Sequence, residues 1–139
     1  MPDIKHYLII ESSPQKVYEA ITTKHGFANW WTPKTKIVNK TGDINIFDFG
    51  NRYHNEMKII DLQPNKRVEW ECLVGDKEWI GTKLIFELEE KDNETILRFT
   101  HSNWKAETDF FASCNFEWGY YMRSLKSYCE TGAGTPFKE

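Results

Sequence analysis

Apolar and polar positions follow a helical rhythm near both ends of the chain and a strand rhythm between them, and the switch points mark its elements. Residues 4–11, Ile-Lys-His-Tyr-Leu-Ile-Ile-Glu, read as a first strand. Ser13-Pro14 then carries the signature of a helix start, with serine as N-cap and proline in the first turn. Val17, Ala20 and Ile21 recur at spacings of three and four, the stripe of a short amphipathic helix. Gly26 interrupts that pattern, and Phe27-Ala28-Asn29-Trp30-Trp31 predicts a second short helix ending before Pro33. From residue 35 to 102 the period drops to two. Turn signals at Thr41-Gly42-Asp43, Gly50-Asn51, Gln63-Pro64-Asn65, Gly75-Asp76 and Lys91-Asp92-Asn93 divide this region into about six strands. With no helices between them, they predict an antiparallel meander.

Alternation also assigns faces. Val68, Trp70, Cys72 and Val74 share one side of their strand, opposite Arg67, Glu69 and Glu71. The inner sets of the other strands read as Tyr53, Asn55, Met57 and Ile59, then Ile80, Thr82, Leu84, Phe86 and Leu88, then Thr95, Leu97, Phe99 and His101. Trp79 falls on the opposite parity, pointing outward or to a strand end, where it would mark a partner surface. Helical period returns from Thr108 to Thr131, where Phe111, Cys114 or Asn115, Trp118, Tyr121 or Met122, and Leu125 make a broad apolar stripe. Lys126 and Glu130 are spaced to pair on the wet side, Gly132 stops the helix, and 133–139 reads as a loose tail after a single domain over 1–132. An antiparallel sheet must cover its apolar face, and only the last helix is long enough to do so. The fold class is therefore α+β: a curved antiparallel sheet of about seven strands around a long C-terminal helix, with two short helices between strands 1 and 2.

Composition narrows the function classes. With 18 Lys and Arg against 21 Asp and Glu the net charge is −3, which disfavours a sequence-independent phosphate binder. Lys34, Lys36 and Lys40 form a small basic stripe that reads as a charged strand edge rather than a nucleic-acid contact. The 139 residues are 40% hydrophobic and 15% aromatic, enough to build a large core or to line an apolar cavity. No apolar run reaches the length of a membrane span, and the start Met1-Pro2-Asp3-Ile4-Lys5-His6 lacks the basic segment of a signal peptide. Cytoplasmic location is the expectation, and Asn39-Lys40-Thr41 and Asn93-Glu94-Thr95 then carry no glycosylation meaning. Cys72, Cys114 and Cys129 are an odd set at wide spacing, read as reduced thiols, two of them packing in the core.

No motif for metal, dinucleotide or nucleophilic chemistry occurs. His6, His25, His54 and His101 are far apart, there is no C-x-x-C, H-E-x-x-H or G-x-S-x-G, and Gly132-Ala133-Gly134 follows a helix and has no third glycine. Neither a metal nor a cofactor is expected. The informative residues are the polar ones on apolar faces. Asn55, Thr82 and His101 each need a partner, a water or a ligand, because burying an unpaired polar group costs about 1–3 kcal/mol. His101 either bonds a backbone carbonyl at its strand end or serves a ligand, and alone among them it exchanges a proton near neutral pH. Trp70 and Trp118, on inner faces, either wall a cavity or plug it, and Trp30-Trp31 either fill the core or fit the cavity rim. The candidate ligand-binding set is Trp30, Trp31, Tyr53, Asn55, Trp70, Thr82, Phe99, His101, Trp118 and Tyr121.

The stretch Ser13-Pro14-Gln15-Lys16-Val17-Tyr18-Glu19-Ala20-Ile21-Thr22-Thr23, followed by Gly26 and Trp30-Trp31-Thr32, resembles the opening of a known family. That family is similar to the C-terminal domain of the activator of the heat-shock-protein-90 ATPase, in the START/SRPBCC superfamily with the helix-grip fold of the birch pollen allergen. Phe47-Asp48-Phe49-Gly50, Arg67-Val68-Glu69-Trp70, Leu97-Arg98-Phe99-Thr100-His101 and Trp118-Gly119-Tyr120-Tyr121 resemble its later blocks in order, so the likeness spans about residues 4–130. The resemblance implies the same element order as the periodicity. It also implies a space between sheet and helix that holds apolar or amphipathic molecules, and some superfamily members are cyclases, aromatases or hydrolases. The family's chaperone activator carries an additional N-terminal domain that these 139 residues leave no room for. Three functions follow as expectations: binding of a small apolar or amphipathic molecule, an enzyme using His101 with Asn55 or Tyr121, or a chaperone-associated interaction domain, as monomer or dimer.

Overall fold

In a computed structural model, which describes residues 1–139, the elements run β1 (Ile4–Ile10), α1 (Pro14–Ala20), α2 (Lys24–Trp30), β2 (Lys34–Lys36), β3 (Ile44–Phe49), β4 (Tyr53–Gln63), β5 (Arg67–Val74), β6 (Lys83–Lys91), β7 (Glu94–Ser102) and α3 (Asp109–Thr131). All strands pair antiparallel in one sheet of order β1-β7-β6-β5-β4-β3-β2. This is the helix-grip arrangement that the period change predicts. The meander places sequential strands side by side, and β1 joins at the far edge by pairing with β7 from Ile4↔His101 to Ile10↔Thr95.

Each helix begins where its cap chemistry dictates. The Ser13 hydroxyl accepts from the Lys16 amide at 3.2 Å, and Pro14 opens α1. Thr23 caps α2, accepting from Gly26 N at 3.0 Å, so this helix starts three residues before the predicted Phe27. Gly26 lies inside α2 rather than interrupting it, because a Cβ there would stand 2.6 Å from Ala20 Cα and only glycine lets the two short helices meet. Thr108 caps α3, and Gly132 ends it in the left-handed conformation.

The core is mostly aromatic. Phe27, Phe47, Trp70, Phe86, Phe99 and Trp118 form a continuous packed layer between sheet and α3, with ring centroids 4.5–5.8 Å apart along the chain of contacts. Cys72, Cys114 and Cys129 are all buried and unpaired, and burial raises their thiol pKa values to about 12, 11 and 12. None is a thiolate near neutral pH. Two inner-face assignments change. Ile80 is 50% exposed and Val74 41% exposed, because β5 ends at Val74 and residues 75–82 form a turn in which Trp79 N bonds Asp76 O and Gly81 N bonds Cys72 O. That turn breaks the strand parity, so Trp79, expected outside, packs inward against Trp118 and His101.

Both sheet edges are blunted. β2 has three residues, two of them exposed lysines. At the β1 edge, Lys126 Nζ donates to Ile9 O at 2.6 Å, Glu11 N donates to Glu130 Oε2 at 2.7 Å, and the two side chains pair at 2.7 Å. The predicted wet-side pair is therefore also a clamp on the neighbouring strand.

The segment expected as a loose tail is packed. Thr135 N donates to Ser124 Oγ at 2.7 Å and Phe137 N to Trp31 O at 2.7 Å, while the Phe137 ring lies edge-on to Phe49 at 5.5 Å. Glu139 pairs with Lys34. Gly134 permits this course, since a Cβ there would sit 2.4 Å from Asn29 O. The sequence signal was weak because the partners of Phe137 and Glu139 are distant along the chain.

Candidate functional site

The aromatic layer closes the middle of the space between sheet and helix and leaves a cavity at one end, of about 200 Å³. Four pieces of chain wall it. The first half of α3 presents Phe110, Cys114, Glu117, Trp118 and Tyr121, which its spacing of three and four puts on one side. The β3–β4 hairpin end supplies Phe49, Arg52, Tyr53 and Asn55; the 75–82 turn supplies Asp76 and Trp79; α2 and the terminal strap add Trp31 and Phe137. Trp31, Asn55 and Trp118 are buried and line its inner part, whereas Arg52, Tyr53, Ser113 and Glu117 are exposed at the mouth.

Of the ten candidate residues, the structure brings Trp31, Tyr53, Asn55, Trp118 and Tyr121 to the cavity. The other five lie elsewhere. Trp30 is fully buried under α1, its indole N–H donating to Ala20 O at 2.7 Å, because one helical step of about 100° turns it away from its neighbour Trp31. Trp70 fills the middle of the layer, stacked on Trp31 at 6.1 Å, and Phe99 is covered by Trp118 at 4.5 Å. Between plug and wall, Trp70 is a plug and Trp118 a wall.

Thr82 and His101 are the remaining two, and they satisfy each other. Trp118 Nε1 donates to His101 Nδ1 at 3.1 Å, which leaves the imidazole proton on Nε2 to donate to Thr82 Oγ1 at 2.8 Å. Thr82 Oγ1 in turn donates to Trp79 O at 2.5 Å. Both ring nitrogens are used, though by side chains rather than the backbone carbonyl expected. His101 is completely buried, and burial alone lowers its pKa to about 3. It is a neutral structural link between α3, β7 and the 75–82 turn.

Cavity electrostatics are set by desolvation. Burial, then the nearby Glu117 carboxylate, raises the Tyr121 phenol to about 12, so it stays a neutral hydroxyl. Trp79 Nε1 is engaged by Cys114 Sγ at 3.4 Å, and Trp118 Nε1 by His101. These two indoles therefore turn their donors away, and Asn55 adds a carboxamide to the aromatic inner wall. Sequence reading missed Phe49, Arg52, Asp76, Trp79, Phe110, Ser113, Cys114, Glu117 and Phe137 as lining residues. The alternation of Phe47 and Phe49, and the spacing of Phe110, Cys114, Glu117 and Tyr121, were signals available for some of them.

A seven-stranded antiparallel sheet gripping a long helix, with an aromatic-walled opening at one end, defines a helix-grip protein. The chain belongs to the family of activator of Hsp90 ATPase homolog 1-like proteins, whose model matches residues 11–130. It is similar to the Aha1 protein of Colwellia psychrerythraea, solved in solution as a dimer, with 40% identity over 96% of this chain and 100% of that one, at a TM-score of 0.89. A Mesorhizobium loti protein shares the fold at 17% identity, covering 91% of this chain and 95% of its own, at a TM-score of 0.80. CalU16 from Micromonospora echinospora does so at 16% identity, with 96% and 76% covered and a TM-score of 0.76. The chain matches no curated protein. No helix is long and apolar enough to cross a membrane.

Proposed function

We propose that this protein binds a small, mostly apolar molecule in the cavity between the β3–β4 hairpin and the first half of α3. The observation that carries the reading is an aromatic-walled opening of about 200 Å³ that keeps a carboxamide at its inner end. An apolar cavity of about 150 Å³ holds benzene, so this one suits one or two fused rings and excludes a sterol. Three buried, unpaired thiols fit a reducing compartment, and we assign the function to the cytoplasm. The enzymatic reading draws less support, because both His101 nitrogens are engaged and its pKa is far below neutral. A chaperone partner rests on the family name alone.

Titration of ¹⁵N-labelled protein with indole tests the binding. Saturable shifts of the Trp31, Trp79 and Trp118 indole signals, with Trp30 and Trp104 unmoved, are expected. Shifts that never saturate, or that spread evenly over the surface, would remove the cavity from the function.

We also infer a second copy of the chain as a partner. On the outward face of α3, Phe116 is 78% exposed and Tyr120 49% exposed, and the similar Colwellia protein is a dimer. Glu117 and Arg123 flank Tyr120 at three residues on either side. Two antiparallel α3 helices crossing at Tyr120 would set each Glu117 beside the other copy's Arg123, as a two-fold interface requires. Light scattering should give twice the 16.5 kDa chain mass, and Phe116→Glu should weaken association by roughly 10- to 100-fold. A wild-type monomer, or a dimer indifferent to Phe116→Glu, would exclude this face.

A further inference from the structure

The cavity's one buried polar side chain points to a chemical class. Asn55 is 3% exposed, on β4 opposite Phe47, and no protein group bonds its carboxamide although the amide lines the cavity. Thr82 and His101, by contrast, bond each other, and Asn45, the other buried asparagine, accepts from Val38 N at 2.9 Å, whereas the buried nitrogens His6 Nε2 and Trp104 Nε1, like Asn55, have no partner. A buried carboxamide left unpaired is costly, and structures as a rule supply such groups with a partner. Asn55 thus brings to the cavity wall a carboxamide that no protein group engages.

Resting on the binding function proposed above, we propose that the ligand is a flat one- or two-ring heterocycle that carries an N–H next to a carbonyl, a cyclic amide or its equivalent. A carboxamide places one donor and one acceptor side by side in a plane, and a cyclic amide edge matches both at once. The pairing works whichever way the Asn55 amide is turned. A flat ligand suits the aromatic wall, in which Trp118 stacks on Trp79, 14° apart with centroids 6.0 Å distant, and lies 5.4 Å from the Trp31 ring. The Trp79 and Trp118 N–H groups do not compete for the ligand's carbonyl, since they are already donated to Cys114 and His101. Size follows from the volume of about 200 Å³, which accommodates two fused six-membered rings.

Calorimetric titration with three probes of one shape tests the class. 2-Quinolinone has the N–H and carbonyl, coumarin replaces the N–H with oxygen, and naphthalene has neither. Wild-type protein should prefer 2-quinolinone to coumarin by roughly 10- to 100-fold, the range of one bidentate pair. Asn55→Leu, which removes no protein hydrogen bond, should bind all three alike. Equal binding of 2-quinolinone and coumarin by the wild type overturns the class while leaving a binding cavity in place, and this comparison needs no variant. A preference that persists in Asn55→Leu overturns the role of Asn55. Failure of all three, and of indole, to bind overturns the cavity function itself and the class with it.

Discussion

Lowering the pH from about 7.5 to about 4.5 costs this protein roughly 3 kcal/mol of folding stability through His101 alone. The folded imidazole has a pKa of about 3, pushed down by burial, whereas in the unfolded chain it titrates at its ordinary value near 6.5. Below about 6.5 the unfolded state therefore binds the extra proton, and stability falls by about 1.4 kcal/mol per pH unit until the folded pKa is reached. The effect is nearly absent above about 7.5 and grows as acid is added. Urea midpoints measured across that range read it. His101→Leu should cost about 2 kcal/mol at neutral pH, because the Trp118 indole N–H loses its acceptor, and should flatten the acid slope. A variant with an undiminished slope would assign the acid sensitivity to other groups.

Trp70→Ala should destabilise by about 3–5 kcal/mol, the largest loss expected from a single core truncation here. Trp70 is 1% exposed and touches Phe27, Trp31, Phe47 and Phe86, so no neighbour can collapse into the space without breaking several contacts. The void would join the middle of the sheet–helix space to the existing cavity past Trp31. Where the variant remains folded, it should take up a larger probe such as ANS that the wild type takes poorly. A loss below about 1 kcal/mol would mean that the ring fills no essential volume.

The fold was legible because its signals are local. Ser13 and Gly132 cap their helices where the sequence puts them, and Val68, Trp70 and Cys72, or Thr95, Leu97, Phe99 and His101, are buried together as strict alternation requires. The site was half legible for the same reason. Tyr53, Asn55, Trp118 and Tyr121 follow from strand and helix period, but period cannot say how far a face is filled. Phe99 and Trp70 share a face with open-cavity residues and differ from them only in what packs above. The remaining misses come from irregular chain: the 75–82 turn reverses the parity that governs Trp79, and Phe137 reaches the cavity through a contact with Trp31 more than a hundred residues away. His101 was the informative error. Its position inside was correct, and its partner Thr82 lay on the neighbouring strand's inner set, but only the register Leu84↔His101 and the bend at Gly81 bring them together.

The clamp of Lys126 and Glu130 on β1 bears on how this protein survives its own fluctuations. Ile-Lys-His-Tyr-Leu-Ile-Ile is the kind of short, apolar, proline-free segment that templates cross-β aggregation once its edge is free. Burial works against ionisation of Glu130, yet its hydrogen bonds to Lys126 and the Glu11 amide hold its carboxyl below the usual range, so that side of the clamp persists in mild acid. The last turns of α3 thus act as a guard built into the chain, holding the end of an edge strand that would otherwise be open to another chain.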